Sequence, residues 1–243
     1  MNKSIVILTQ KDPIFNLKVV YSLLNNLTYE NAFIIYGRQA LGLKDIIINA
    51  FIFGFFQCVK YIICNLFIEK QIKKDFPKIQ IIHVTNGDIA ELINLKLKKK
   101  NIYGISVSFP FKISDKTLSL FDGNLINFHN SFLPFYRGLS PIYHQLKDSV
   151  CNFSFTIHEV TKAYDRGNII YQASITKSYG KGFLCSEILT ELCKLQTHII
   201  SIEKDKIFNK FYYLPEDDLG SYYSKPSVIE SFKFWISRNL NLN

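Results

Sequence analysis

Short apolar runs alternate along the first half of the chain with longer stretches of helical periodicity. The β-branched runs predict strands over 4–8, 32–36, 79–84, 103–108 and 124–128. The stretches between them predict helices over 14–26, 45–72 and 88–100. Strands that alternate with helices form βαβ units, so the pattern predicts an α/β, Rossmann-like fold with a mostly parallel twisted sheet and helices on both faces.

The pattern changes after a short helix predicted near 140–147. Residues 151–160 alternate between apolar and polar positions, which predicts a strand, and 169–176 predicts a second strand. The turn-forming residues of 163–168 lie between them, so the two strands should form a hairpin. A helix over about 183–204 is expected to follow.

The length of the chain, 243 residues, fits one large domain with a small addition. Nearly half of the residues are apolar, which is enough for a continuous core. We predict one domain over 1–205 and a C-terminal extension over 206–243, which is too short to build a core of its own.

One apolar segment, 46–67, is long enough to suggest a membrane span. It also contains Asn49, Gln57, Lys60 and Asn65, and the first three would fall within an arc of about 80° on a helix. A lysine in the middle of a span is costly in lipid. We therefore predict a largely buried helix with a narrow polar stripe, or else a helix partly covered by a partner subunit, and no membrane insertion.

The formal charge of +9 allows an anionic partner such as a nucleotide or a nucleic acid. The densest basic run, 96–100, closes a predicted helix, where lysines suit the helix dipole. A groove for nucleic acid would interleave basic and aromatic residues, and that pattern is not visible. We therefore expect no nucleic-acid partner.

The five cysteines are odd in number and contain no CxxC pair. This spacing disfavours both a disulfide framework and a cysteine-based metal site, and it is typical of a protein of the reducing cytoplasm. The first residues also predict a strand and lack the features of a secretion signal.

Groups capable of acid–base chemistry follow the strand predicted at 124–128. Asn127 and His129 are two residues apart, so an extended strand presents both on one face. An imidazole can accept a proton and an amide N–H can stabilise an oxyanion, which together suit acyl transfer. A carboxylate should complete the set, and Asp165, in the hairpin turn, is a better candidate than Glu159, which lies in a strand.

These residues belong to a longer ordered motif, N-x-H-x-S-x-L-P-x-Y-R-G followed by T-I-H-x-V and D-x-G. In this motif the chain resembles the 10-formyltetrahydrofolate-dependent formyltransferases. The resemblance covers about 1–180 in layout and is dense over 100–172. It implies the formyltransferase fold, 10-formyltetrahydrofolate as the formyl donor, no metal, and a catalytic triad of Asn127, His129 and Asp165.

The resemblance also implies roles for residues around the triad. A folate pocket is expected between the loop after the fourth strand and the loop leading to Asp165, lined by Phe109, Phe111, Lys112, Ile113, Val160 and Tyr164. The residues expected to frame the loop that carries His129 are Ser131, Pro134, Tyr136, Arg137 and Gly138. His158, in a predicted strand, is expected to have a supporting or core role.

The amine acceptor depends on the branch of the family. The first turn, "LTQKDP", lacks the glycine-rich phosphate loop of the glycinamide ribonucleotide transformylases. The tail is shorter than the C-terminal domain expected of a methionyl-tRNA formyltransferase. The resemblance therefore favours the sugar N-formyltransferases, which act on nucleotide-linked amino deoxysugars.

The preferred acceptor is dTDP-4-amino-4,6-dideoxyglucose, used in O-antigen or other surface-polysaccharide synthesis by a homodimeric enzyme. Contacts to the nucleotide are expected from Lys11, Arg38, Asn86 and Asp88. Methionyl-tRNA formylation, formyltetrahydrofolate hydrolysis and a non-catalytic interaction protein on the same fold are the alternatives. Tyr222 and Tyr223 would either stack on the nucleotide base or pack the tail.

Overall fold

A computed structural model of the chain describes residues 4–12, 15–39, 42–65, 67–97, 102–177, 184–208 and 220–239. Within them the strands are β1 (Ser4–Gln10), β2 (Asn31–Gly37), β3 (Gln80–Val84), β4 (Ile102–Val107), β5 (Leu125–His129), β6 (Arg137–Gly138), β7 (Asn152–Glu159), β8 (Ile169–Thr176) and β9 (Tyr222–Tyr223). The helices are α1 (Asn16–Asn26), α2 (Leu43–Phe53), α3 (Phe55–Asn65), α4 (Ile68–Asp75), α5 (Ala90–Leu97), α6 (Asp115–Phe121), α7 (Pro141–Lys147), α8 (Cys185–Phe208) and α9 (Val228–Asn239).

Seven of the strands form one twisted sheet in the order β3-β2-β1-β4-β5-β7-β8. The first five in this order are parallel, whereas β7 runs antiparallel to β5 and β8 antiparallel to β7. The predicted α/β fold with a mostly parallel sheet is confirmed, and so is the hairpin. The short strands β6 and β9 pair with each other outside this sheet.

Both faces of the sheet are covered, which explains why the parallel strands are continuous apolar runs. On one face Ile5 and Ile7 of β1 belong to a core with residues of α1, α4 and α8. On the other face Val6 and Leu8 pack with residues of α5 and α6. The carboxyl ends of β1, β2, β3, β4 and β5 meet at one edge, where sheets of this kind bind ligands.

The single helix predicted over 45–72 is wrong, because the chain forms α2, α3 and α4 in its place. Gly54, with a φ of +93°, ends α2 in a backbone conformation that favours glycine. The prediction of a largely buried helix is also wrong for α3, where Phe55 is 67% and Phe56 86% exposed. The sheet is covered in this region by Ile68 and Ile72 of α4, so the apolar face of α3 points outward.

No helix among the described residues combines the length and the apolar character that a membrane span requires. With 11 residues, α3 is about 16 Å long, roughly half the thickness of the hydrocarbon layer.

The C-terminal part of the described chain packs against the rest. Helix α8 contains a kink at Glu203. Helix α9 lies on α2, where the ring of Phe51 contacts those of Phe232 and Trp235. The helix predicted over 88–100 corresponds to α5, described over Ala90–Leu97; residues 98–100 lie outside the described chain.

Candidate active site

Two of the predicted site residues lie at the carboxyl end of β5, where the strand period of two places Asn127 and His129 on one face. Phe128, between them, is buried on the opposite face and stacks against Phe155 of β7. The strand therefore presents an amide and an imidazole side by side, while the intervening ring anchors it in the core.

His129 is buried, and its contacts determine which ring nitrogen carries a proton. Nε2 lies 2.9 Å from the carbonyl oxygen of Tyr136, which can only accept, so Nε2 donates this hydrogen bond. In the neutral ring Nδ1 is then the basic nitrogen, and it lies 3.7 Å from Oδ2 of Asp165. Burial lowers the pKa of His129, and the charge of Asp165 partly opposes this effect. A neutral imidazole with a free lone pair on Nδ1 is the state needed by a general base.

Asp165 lies in the β7–β8 turn with a φ of +51°, an uncommon value for a residue other than glycine. Its Oδ2 accepts a hydrogen bond of 2.8 Å from the backbone N–H of Gly138. Its Oδ1 lies 3.5 Å from Nε2 of His158. Burial alone would raise the pKa of Asp165, but the neighbouring His129 and His158 and the Gly138 N–H together hold this pKa well below its usual value. The group is therefore a carboxylate at neutral pH.

His158 contacts two members of the triad directly. Its Nδ1 lies 2.7 Å from the carbonyl oxygen of Glu159 and must donate to it. In the neutral ring Nε2 accepts, at 3.1 Å, from Nδ2 of Asn127. This contact orients the Asn127 amide, whose other N–H can donate to a developing oxyanion.

The position of His158 fits the supporting role expected from the sequence, but its partner in that role, Asn127, was not predicted. Asn127 and His158 are direct partners in the antiparallel register of β5 and β7. Both strands were predicted, but the register that makes these two residues partners does not follow from a local pattern.

The rival acid, Glu159, has another role, since its Oε2 accepts from the side-chain amide of Asn168 across the hairpin. At Gly167 an added Cβ would lie 1.8 Å from the Glu159 carbonyl oxygen, so the turn that presents Asp165 requires glycine here. The structure thus brings Asp165, and not Glu159, to His129.

The residues expected to frame the catalytic loop are arranged as follows. The Ser131 hydroxyl donates to the carbonyl oxygen of Phe135 at 2.8 Å, which closes the turn that contains the cis Leu133–Pro134 bond. Tyr136 adopts a left-handed φ of +57°, and its hydroxyl donates to Asp148. The side chain of Arg137 is buried.

Of the residues expected in the folate pocket, those of two loops come together beside Asp165. Phe109 and Phe111 form an edge-to-face pair. The Lys112 ammonium lies 5.6 Å from the ring centre of the exposed Tyr164, so the two loops face each other. The expected residues Ile113, which is buried, and Val160 pack in the core beneath these loops.

Of the residues expected to bind a nucleotide, Lys11 and Arg38 follow the carboxyl ends of β1 and β2. The ammonium of Lys11 is 3.0 Å from a carboxylate oxygen of Glu69, to which His83 is also bound. Arg38 is exposed.

The other two expected nucleotide contacts follow β3 and are engaged locally. The side chain of Asn86 accepts from the backbone N–H of Asp88, whose carboxylate in turn accepts from Ser114. All four of the expected nucleotide contacts lie along the same edge of the sheet. Among the described residues no group of three His, Cys, Asp or Glu side chains is arranged to hold a metal ion.

Comparison with known proteins finds a family model that matches part of the chain. Residues 87–178 match a family model described as formyl transferase, and this segment contains the whole cluster around His129. The methionyl-tRNA formyltransferase of Borreliella burgdorferi is 31% identical over 100 residues, which cover 41% of this chain and 31% of the relative. The matched part thus spans about a third of the relative's length.

Solved structures show the same fold. The N-formyltransferase of Helicobacter canadensis, in complex with folinic acid and dTDP-3-aminofucose, superimposes with a TM-score of 0.59 at 15% identity, covering 93% of this chain and 71% of that one. The phosphoribosylglycinamide formyltransferase of Streptococcus pneumoniae superimposes with a TM-score of 0.60 at 14% identity, covering 86% and 99%. The α/β fold of this chain is that of formyltransferases.

Proposed function

We propose that this chain is a formyltransferase that moves a formyl group from 10-formyltetrahydrofolate to an amine. The observation that carries the proposal is the cluster of Asn127, His129, His158 and Asp165, held at the carboxyl edge of the sheet inside the segment that matches the formyl transferase family. It combines a neutral base, an oriented amide donor and a carboxylate, the groups that acyl transfer to an amine requires.

Each residue of the cluster has a separate role in formyl transfer. When bound, the folate supplies the formyl group. The amine nitrogen attacks the formyl carbon, and the bond between this carbon and the folate N10 then breaks. Nδ1 of His129 accepts a proton from the amine, and the carboxylate of Asp165 stabilises the resulting imidazolium. Asn127 donates an amide N–H to the developing oxyanion. The proton on His129 is then available for the departing nitrogen, so the protons balance.

The two loops beside Asp165 fit a folate. A pterin offers a flat ring and a polar edge, and the loop over 109–113 provides aromatic side chains and backbone groups next to the Tyr164 ring. At Gly87 an added Cβ would lie 1.8 Å from the Lys112 carbonyl oxygen, so the β3–α5 loop supports this wall by close backbone contact. Phe109, Phe111, Lys112 and Tyr164 are the contacts we propose.

For the acceptor we propose a nucleotide-linked amino deoxysugar, with dTDP-4-amino-4,6-dideoxyglucose as the first candidate and surface-polysaccharide synthesis in the cytoplasm as its use. The solved N-formyltransferase with dTDP-3-aminofucose supports this class. Further support comes from the β1–α1 turn, which has no glycine for a phosphate loop. Lys11, Arg38, Asn86 and Asp88 remain the proposed nucleotide contacts. Methionyl-tRNA is the second candidate, supported by the curated relative.

A panel of acceptors tests this proposal. The protein is incubated with 10-formyltetrahydrofolate and, separately, with dTDP- and UDP-linked 3-amino and 4-amino sugars, methionyl-tRNA, or no amine. Product masses are then read by mass spectrometry. A formylated sugar supports the proposal, formylated methionyl-tRNA would replace it with the second candidate, and formate released equally with or without amine would indicate a hydrolase.

We further propose that the enzyme is a homodimer that uses the outward face of α3. Five apolar side chains fall within an arc of about 120° on this helix: Phe55, Phe56, Val59, Ile62 and Ile63. Their exposed area is roughly 550 Å², against about 800 Å² per partner in a standard interface.

The charge distribution of α3 favours a second copy over a lipid surface. Helices that bind at membrane surfaces are rich in Lys and Arg on their polar face, whereas Lys60 is the one charged residue of α3. An uncharged apolar face can meet its own copy across a twofold axis without unpaired charges.

A further inference from the structure

The segment 220–224, which precedes α9, lies beside the loop that follows His129 and includes β6. Strand β9 pairs with β6, and the backbone N–H of Arg137 donates to the Ser221 carbonyl at 2.9 Å. The N–H of Leu139 donates to the Tyr223 carbonyl at 3.0 Å. The segment thus extends the catalytic loop by one strand, although the two are far apart in sequence.

Side chains of the segment reinforce this pairing. The Ser221 hydroxyl accepts a 2.9 Å hydrogen bond from the backbone N–H of Tyr136. The ring of Tyr223 stacks against the rings of Tyr136 and His144, with centroid distances of 5.4 Å and 4.3 Å and interplanar angles of 12° and 28°. His144 is held in turn by the carbonyl of Ser224. Tyr136 is therefore contacted by the segment at its backbone N–H and at its ring.

The two segments approach too closely for side chains at two positions. An added Cβ on Gly138 would lie 2.2 Å from the Tyr223 carbonyl oxygen, and one on Gly220 would lie 1.9 Å from the Pro134 carbonyl oxygen. Glycine at each position is what allows the backbones to meet.

The loop residues that the segment holds are the ones that bind the catalytic groups. The Tyr136 carbonyl accepts from Nε2 of His129 and thereby sets the tautomer with a basic Nδ1. The Gly138 N–H donates to Asp165. Tyr136 also has a left-handed φ, a conformation that persists only where the surroundings fix it.

We propose that the 220–224 segment positions the catalytic base, with Ser221 and Tyr223 acting through Tyr136 to hold His129 in its Nε2–H tautomer. This inference rests on the proposed formyl transfer for its kinetic part, but the tautomer of His129 does not depend on any activity. The segment is then a positioning element for the site, although it contacts none of the reacting groups itself.

The test compares Tyr223→Ala, Ser221→Ala and the conservative Tyr223→Phe, which keeps the stacked ring. The tautomer of His129 is read from its ¹⁵N shifts by NMR, with the resonance assigned by its loss in His129→Ala. In the wild type and in Tyr223→Phe we expect Nε2–H, whereas Tyr223→Ala should give a mixture of tautomers. With the best acceptor, Tyr223→Ala should lower kcat about 10- to 100-fold, because small displacements of catalytic groups carry penalties of this size, with KM for the donor changed less than about twofold.

Thermal unfolding of each variant shows whether it is folded. If Tyr223→Ala does not fold, Ser221→Ala, which removes only a single hydroxyl, is used for the same measurements. A folded Tyr223→Ala or Ser221→Ala with a single Nε2–H tautomer and wild-type kcat would overturn the inference. If no acceptor is formylated even by the wild type, the proposed function fails, while the NMR result still supports or overturns the positioning role.

Discussion

Replacement of Asp165 by asparagine tests the electrostatics of the site, because the two side chains have nearly the same shape. The side-chain carbonyl oxygen of the introduced asparagine can still accept a hydrogen bond from the Gly138 N–H, so the turn should retain its conformation. The lost charge lies 3.7 Å from Nδ1 of His129. At that separation and an effective dielectric constant of 20, a unit charge contributes about 4.5 kcal/mol at most to an imidazolium.

This magnitude sets the expected rate. A loss of about 3 to 4 kcal/mol in a state where His129 carries a proton corresponds to a fall in kcat of roughly 10²- to 10³-fold. KM for the folate should change little if Asp165 acts on the proton and not on the pterin.

The dependence on pH follows from the direction of the pKa shift. His129 must be neutral to accept a proton, so activity falls as the pH drops through its pKa, which burial holds below the usual value. The charge of Asp165 opposes that lowering, so Asp165→Asn should move the acid limb of the kcat profile to still lower pH. NMR titration of the His129 ring measures the same pKa without turnover. A variant that loses less than about tenfold in kcat and leaves the pKa of His129 unchanged would refute this account of Asp165.

Three further changes test separate parts of the account. His158→Gln should lower kcat about 10- to 100-fold with little change in donor KM, because it disturbs the orientation of Asn127; a loss confined to donor KM would argue against that role. Lys112→Ala should raise the Kd of a stable formyl-folate analogue about two- to fivefold by calorimetry, while Lys116→Ala, which removes an exposed lysine paired with Glu91, should not. Phe56→Glu should convert the dimer to a monomer, as measured by light scattering, whereas Leu95→Glu, at a similarly exposed site on α5, should not. A wild-type protein that is itself monomeric would refute the proposed interface.

The sheet and the grouping of Asn127, His129 and Asp165 were accessible from the sequence because local patterns encode them. The runs in β1, β2 and β4 are continuous since both faces of the sheet are covered. Asn127 and His129 follow from the strand period, and Asp165 from the turn chemistry of the hairpin.

Long-range placements were not accessible in the same way. The contact between His158 and Asn127 depends on the antiparallel register of β5 and β7. The pairing of β9 with β6 joins segments that no local pattern connects. The apolar face of α3 points outward, although an apolar helix face is normally expected to point to the core. The break at Gly54 depends on a backbone conformation that a single glycine in the sequence does not predict.

The proposed formyl transfer is tested most directly by following a ¹³C-labelled formyl group supplied as 10-formyltetrahydrofolate. The wild type and His129→Ala are incubated with the labelled donor and a nucleotide-linked amino sugar, and ¹³C NMR follows the label. We expect the label in a new formamide on the sugar nitrogen with the wild type, and a fall of roughly 10²- to 10⁴-fold in its formation with the folded variant. Label that appears only in formate, or formamide that forms equally fast without the imidazole, would contradict the account.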